Sequence, residues 1–384
     1  MENNNKNKIK PTLALTGGGT MGHISPNLAL LNELRKRFGK IIYIGGKDSM
    51  EETQAIKNNL PFYSIETIKF NRKNLFKNLL IPFKVFKAKK QTKKIFASEN
   101  VDIVFSKGGY VSVPVMLQAQ KQKLPNILHE SDITLGLANK VSAKKATQIF
   151  VATEKAKEGL SKKLKAKTIV TGIPTSDKFL KTKNNESKQN NLGSSNKEKI
   201  NTSNFENPTI KKTLLVTGGS QGAKAINQVI RENLESLTKE YNIIHIVGRN
   251  NKDESISHTY YNQLEFVFNM PDYMKKADVI ISRAGATTIF EALKTETPLI
   301  VIPLPKSKSS RGDQVENAKY FHKLGLLEYI EQDHLNLDSL KHALKKISSN
   351  SEERHKKIKE FNSKLPSNSE IAKLILDSQK TAKV

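Results

Sequence analysis

The stretch Leu13-Ala14-Leu15-Thr16-Gly17-Gly18-Gly19-Thr20-Met21-Gly22-His23-Ile24-Ser25-Pro26 constrains the fold more than any other. An apolar run enters a glycine turn, and a helix-like stretch over residues 26–34 leaves it. Glycines suit such a turn because φ can be positive and no side chain blocks a ligand. Its N–H groups and the following helix N-terminus favour negative charge. Alone the turn is a weak signal, since its spacing is not the dinucleotide fingerprint. About two hundred residues later the device returns: Leu214-Leu215-Val216 runs into Thr217-Gly218-Gly219-Ser220-Gln221-Gly222-Ala223, followed by a helix-like Ile226-Asn227-Gln228-Val229-Ile230. Two such loops, each opening half of the chain, predict an α/β protein of two doubly wound, Rossmann-like domains facing one central cleft.

The rest of the chain fits that division. Strand-like apolar runs fall at 13–15, 41–44, 102–105, 126–128, 148–151 and 168–170, then at 213–217, 243–247, 264–268, 279–282, 299–302 and 327–330. Helix-like stretches separate most of them, as a parallel sheet requires. Residues 181–211 are rich in Asn, Lys and Ser and almost free of apolar side chains, so they are expected to form a flexible linker or insertion. The expected organisation is an N-terminal domain over 1–178, a linker over 179–211, a second domain over 212–350 and a helical tail over 351–384. The tail carries a short amphipathic segment, Ile371-Ala372-Lys373-Leu374-Ile375-Leu376, and is expected to pack back on the first domain.

The 384 residues suffice for two cores and contain no cysteine, which excludes disulfides, thiolate metal sites and cysteine nucleophiles. The polar start, Met1-Glu2-Asn3-Asn4-Asn5-Lys6, does not read as a secretory signal, and no apolar run approaches the ~18 residues of a membrane span. A net charge of +27 points to an anionic partner, although part of it is a lysine- and asparagine-rich composition. Residues 68–96 hold ten Lys or Arg and no Asp or Glu, interleaved with Phe70, Phe76, Leu79, Phe83 and Phe86 among others. That pattern suits a membrane-surface element, an amphipathic helix with a solvated basic face, or a nucleic-acid groove.

Three further clusters sit where ligands bind in open α/β sheets, after strand-like runs. They are Lys107-Gly108-Gly109-Tyr110-Val111-Ser112-Val113-Pro114, then His129-Glu130-Ser131-Asp132, then Ser282-Arg283-Ala284-Gly285-Ala286-Thr287-Thr288-Ile289-Phe290-Glu291 with Arg311-Gly312-Asp313-Gln314-Val315-Glu316-Asn317 beyond it. Glu291 is either a solvated helix carboxylate or an acceptor for two ribose hydroxyls. His23 either packs or serves as a general base, and His129 beside Glu130 shares that ambiguity. No Asp-x-Asp occurs, so phosphate charge is expected to be met by N–H groups, helix ends and Arg or Lys, with no bound metal and no cofactor.

Gly18-Gly19-Thr20-Met21-Gly22-His23-x-x-Pro26, Gly108-Gly109-Tyr110-Val111-Ser112-x-Pro114, His129-Glu130, Thr171-Gly172-Ile173-Pro174, Gly218-Gly219-Ser220-Gln221-Gly222-Ala223 and Ser282-Arg283-Ala284-Gly285-Ala286-x-Thr288 stand in the order seen in the family 28 bacterial glycosyltransferases that make lipid II. The chain resembles that family nearly throughout, except at 181–211 and the ends. The resemblance implies a GT-B fold and an inverting transfer of N-acetylglucosamine from UDP-N-acetylglucosamine to the muramyl 4-hydroxyl of membrane-anchored lipid I, for peptidoglycan synthesis. Residue by residue it implies His23 and Glu130 as catalytic groups. It implies Thr20, Met21, Gly22, Asp132, Ser176, Ser220, Val267, Ala286, Thr287, Thr288, Glu291 and Gln314 on the donor side. Gly109, Tyr110 and His129 fall on the acceptor side, and Phe76, Leu79, Phe83 and Phe86 in a membrane-facing patch. It further implies a peripheral place on the cytoplasmic face of the cell membrane, with the anionic inner-membrane surface and other cell-wall enzymes as partners. The chain departs from the family pattern at Met21 (usually Gly), Asp132 (usually Asn), Ser176 (usually Arg) and Asp313 (often Gln).

Other readings are a relative that glycosylates a different lipid, a catalytically dead nucleotide-sugar or membrane-binding module, and a nucleic-acid binder. Retention of His23 and Glu291 argues against the second, and the lack of any nucleic-acid module against the third.

Overall fold

The computed structural model describes residues 10–67, 81–180, 211–219, 221–267, 269–307 and 310–381. The apolar runs form two parallel sheets. The first comprises β1 (Thr12–Thr16), β2 (Lys40–Gly46), β3 (Phe62–Ile65), β4 (Val101–Ser106), β5 (Asn126–Glu130), β6 (Gln148–Val151) and β7 (Thr168–Val170). The second comprises β8 (Lys212–Thr217), β9 (Tyr241–Ile246), β10 (Tyr261–Leu264), β11 (Val279–Ser282), β12 (Leu299–Val301) and β13 (Glu328–Tyr329). Their orders are β3-β2-β1-β4-β5-β6-β7 and β10-β9-β8-β11-β12-β13. In each sheet the order reverses beside the first strand, between β1 and β4 and between β8 and β11. Both glycine loops leave the sheet at that reversal, where doubly wound folds open a crevice.

Central strands are covered on both faces by helices, which is why they are apolar in unbroken runs. Leu13, Ala14 and Leu15 of β1 and Leu214, Leu215 and Val216 of β8 are fully buried. Two elements differ from expectation. The edge strand β3 was not expected, because Phe62 and Tyr63 are half-buried and Ser64 is exposed, leaving a weak apolar signal. The strand expected at 264–268 is β10, three residues earlier, where Asn262 and Gln263 dilute the run. The apolar residues after it form the loop that buries Val267.

The tail divides its packing. The helix Ser351–Ser363 stays on the second domain, with Ile358 and Phe361 against Phe290 and Phe321. The last helix, Asn368–Thr381, crosses to the first domain, where Ile371, Ala372 and Ile375 share a core with Leu30, Leu31 and Leu34. Most of the segment expected to be a linker, and the first half of the basic stretch with Phe76 and Leu79, lie outside the described residues.

The rest of that stretch is the helix Ile81–Ser98. Ala88, Thr92 and Phe96 recur every four residues and face the core, whereas Phe83 and Phe86 stand 75% and 59% exposed. Among the described residues no helix is long and apolar enough to cross a membrane.

Candidate active site

The first glycine loop is held from behind. Thr16 and Gly17 present their carbonyls to Asn27 Nδ2 (3.2 Å) and Tyr43 Oη (2.6 Å). The loop after β4 interlocks with it: at Gly109, φ is +83° and a side chain would lie 2.4 Å from the Gly18 carbonyl. Tyr110 follows, its ring against Gly19. Glu51, buried and absent from the expectations, braces the loop by accepting from the Gly19 N–H (3.3 Å) and the Gly46 N–H (3.2 Å).

The following helix runs Met21–Ala29, five residues earlier than its sequence suggests, so Pro26 lies inside it. A proline there has no N–H for the carbonyl four residues back, that of Gly22. The freed Gly22 oxygen accepts instead from Thr287 Oγ1 across the cleft, at 3.5 Å. Thr287 lies in the first turn of the helix Ala286–Thr295, which leaves β11 in the second domain. The two helix N-termini therefore meet. Neither N-cap, Thr20 or Gly285, makes a side-chain hydrogen bond, and neither first turn holds an acid. The helix Lys224–Glu232 after the second glycine loop is equally bare. Some helices elsewhere are closed off: Ser49 caps one and Thr153 another, each with acids in the first turn, and Asn336 forms a capping box with Ser339. The ends facing the cleft thus keep their orphan N–H donors and positive dipole ends for an anion.

His23 stands on the first turn of the helix Met21–Ala29. Its Nδ1 is 3.1 Å from the Lys107 carbonyl. A carbonyl can only accept, so Nδ1 carries the hydrogen and Nε2 keeps a free lone pair. Burial, and then the positive charge of Lys107, hold His23 below its ordinary value, with Asp132 opposing and Arg311 adding to the effect. The ring is therefore neutral near pH 7, the form a base needs.

Glu291 lies farther along the helix Ala286–Thr295. Its carboxylate makes no hydrogen bond or ion pair with another described residue, and burial pushes it up to about 8. Gln314 accepts from the Leu304 N–H at 2.9 Å through Oε1, which leaves its amide N–H donors open. Ala286 is buried at the helix start and Thr288 half-buried. Val267 is buried in the second core, and Ser220 lies outside the described residues.

Two expected site residues turn out to be committed within the protein, and a third makes one internal hydrogen bond. The Glu130 carboxylate accepts from the N–H groups of Ser131 (2.9 Å), Asp132 (3.1 Å) and Gly136 (2.7 Å) and from Asn139 Nδ2 (2.9 Å). It shapes the loop 131–136 and has no free face for substrate, so the expectation of a catalytic Glu130 is corrected to a loop-holding role. His129 is fully buried, with Nε2 donating to the Gly172 carbonyl (2.8 Å) and Nδ1 accepting from Lys107 Nζ (2.5 Å), so it cannot touch an acceptor directly. Ser176, expected on the donor side, is half-buried and accepts from the Lys178 N–H (3.3 Å) at one lone pair, which leaves its own O–H to donate.

The loop that Glu130 shapes carries Asp132 onto the second domain. Buried Asn317 donates to Asp132 Oδ1 (3.1 Å) and to the Ala284 carbonyl (3.2 Å), and accepts from the Ile133 N–H (3.4 Å). Arg311 donates to the Leu135 carbonyl (3.1 Å) and pairs with Asp313 (2.8 Å). Burial, and then Glu130, raise the Asp132 carboxyl above its ordinary value. Arg311 and Asn317 bound a cluster visible in the sequence but had no role of their own there, because only the folded chain brings them to this loop. Among the described residues no group of three or more His, Cys, Asp or Glu could hold a metal ion.

Two parallel-sheet domains with opposed, uncapped helix ends, a neutral histidine on one side and an unpartnered carboxylate on the other define a GT-B glycosyltransferase. The comparisons agree. Sequence profiles for the "Glycosyltransferase family 28 N-terminal domain" and "Glycosyltransferase family 28 C-terminal domain" match residues 13–151 and 213–375. A Clostridium botulinum UDP-N-acetylglucosamine–N-acetylmuramyl-(pentapeptide) pyrophosphoryl-undecaprenol N-acetylglucosamine transferase is 41% identical over 89% of this chain and 91% of its own. A Bacillus cereus protein of that name, numbered 2, is 38% identical over 92% of this chain and 96% of its own. The crystal structure of Acinetobacter baumannii MurG superposes with a TM-score of 0.68 at 23% identity, covering 95% and 99% of the two chains. The chain belongs to glycosyltransferase family 28.

Proposed function

We infer that this chain transfers N-acetylglucosamine from UDP-N-acetylglucosamine to the muramyl sugar of lipid I, yielding lipid II, the activity named for its relatives. The observation that carries the reading is the pair of opposed, uncapped helix N-termini with His23 beside one and Glu291 along the other. His23 Nε2 takes the proton of the acceptor 4-hydroxyl as that oxygen bonds to the anomeric carbon. The bond from that carbon to the diphosphate breaks, and UDP leaves with the electron pair. N–H donors of the two helix ends, with the Thr287 and Thr288 hydroxyls, meet the charge that develops there, so this reading assigns no role to a metal ion. Glu291 accepts from the ribose hydroxyls, and the Gln314 amide donates to the sugar.

The acceptor is lipid-anchored, so the first domain docks on the cytoplasmic face of the membrane. The helix Ile81–Ser98 suits this, with Phe83 and Phe86 exposed among lysines and Lys90 Nζ 4.8 Å from the Phe86 ring centre. The purified chain, given UDP-N-acetylglucosamine and a short-chain lipid I analogue, should form the disaccharide and release UDP only when both are present. UDP release at the same rate without acceptor would contradict the reading.

A further inference from the structure

Lys107 is 1% exposed, yet among the described residues no carboxylate lies within ion-pair distance of it. Its Nζ touches two neutral groups, His129 Nδ1 at 2.5 Å and Ser131 Oγ at 2.8 Å. A buried ammonium without an ion pair costs several kcal/mol, and an apolar side chain of the same length would fill the space without that cost. The fold alone therefore gives no reason for a lysine here.

The same residue touches the reaction centre through its main chain. Its N–H donates to the Thr16 carbonyl at the end of β1 (2.9 Å), and its own carbonyl accepts from His23 Nδ1. On the far side, His129 passes the contact to the Gly172 carbonyl. Gly172 is packed where a side chain would meet Phe290 of the helix Ala286–Thr295 and Leu365 of the bend after the helix Ser351–Ser363. One residue thus links the end of β1, the histidine of the first glycine loop and the crossing between the domains.

We propose that Lys107 is a positioning residue for the transfer, whose carbonyl fixes the tautomer that presents His23 Nε2 to the acceptor and whose buried ammonium sets a positive charge behind that ring. The proposal rests on His23 being the base. Lys107 and His23 compete for one proton. Burial pulls the Lys107 ammonium down to about 7, against the attraction of Glu130 and Asp132. As pH falls, the lysine takes its proton first, and its charge then resists protonation of His23. The other charged groups facing His23 are Asp132, which favours the imidazolium, and Arg311, which opposes it. Without the lysine, burial would still hold His23 down, but among the charges facing it Asp132 would outweigh Arg311 and the base would be lost at a higher pH.

The test is the titration of His23 in the full chain, followed by NMR of ring-labelled histidine and assigned with His23→Gln, alongside the pH dependence of kcat. Lys107→Met keeps the carbonyl and removes the charge. It should move the His23 midpoint upward by about half a unit or more, and the acid limb of kcat with it, while the KM for UDP-N-acetylglucosamine stays within about twofold. Ser131→Ala removes one neutral partner, keeps the charge, and should leave the midpoint in place. An unmoved midpoint in Lys107→Met, or an equal shift in Ser131→Ala, would overturn the proposal by making the lysine a packing residue. A midpoint that moves while His23→Gln transfers sugar at the wild-type kcat would remove His23 as base, and with it the role of Lys107 in transfer.

Discussion

At the scale of single residues, Glu291 sets folding against function. Its buried carboxyl titrates at about 8 rather than near 4.5, so the folded state holds a proton the unfolded state has released. The sign follows: stability falls as pH rises from about 4.5 to about 8. Glu291→Gln should therefore raise the denaturation midpoint at pH 8 and leave it unchanged at pH 4, as urea melts at the two pH values would read. The same change should weaken UDP binding by roughly 10- to 100-fold, since a charged hydrogen bond contributes about 1.5–3 kcal/mol. In the unsubstituted chain, calorimetry should show UDP affinity rising from pH 6 to 8, because ribose hydroxyls favour the ionised carboxylate. The positions of His23, on a first helical turn, and Glu291, farther along its helix, were legible in the sequence because each helix follows a glycine turn. Lys107 lay inside a legible motif, but its buried contacts come from β5 and the following loop. Asn317 acts through a loop far away in sequence. Glu130 misled because a carboxylate beside a histidine looks the same whether it faces substrate or its own loop.

At the scale of elements, the cleft-facing helices give up local stability to leave their first N–H groups open. Gly285 has φ of −66°, and a side chain there would meet only Thr288 Oγ1, at 3.9 Å. Gly285→Asp should therefore cap the helix Ala286–Thr295 and stabilise the chain by about 0.3 kcal/mol, since glycine is itself a tolerable N-cap. It should also weaken UDP-N-acetylglucosamine binding tenfold or more, because the new carboxylate occupies the diphosphate's donors. A thermal melt and a binding isotherm on one preparation would decide; unchanged affinity would mean the diphosphate does not sit at this helix end. The sequence placed this helix and both glycine turns. It put the first helix five residues late, because Pro26 looks like a helix start when the tertiary partner of Gly22, Thr287, is unknown.

At the scale of the whole molecule, the parts converge on one cleft between the two domains. The loop 131–136 bridges to Arg311 and Asn317, and the last helix ties the second domain back to the first. Phe83→Asp with Phe86→Asp should release the protein from anionic vesicles in co-sedimentation and slow transfer to a long-chain lipid acceptor. Transfer to a short, water-soluble acceptor should be spared. Equal loss with both acceptors would assign these phenylalanines to the fold.

The central claim is that His23, neutral and with Nε2 free, removes the acceptor proton while UDP is held by the opposite domain. Its most direct test is His23→Ala, comparing kcat for N-acetylglucosamine transfer with the dissociation constant for UDP. The account predicts a fall in kcat of roughly 10²–10⁴-fold with UDP affinity unchanged. A wild-type kcat, or a loss carried by weaker UDP binding alone, would contradict it.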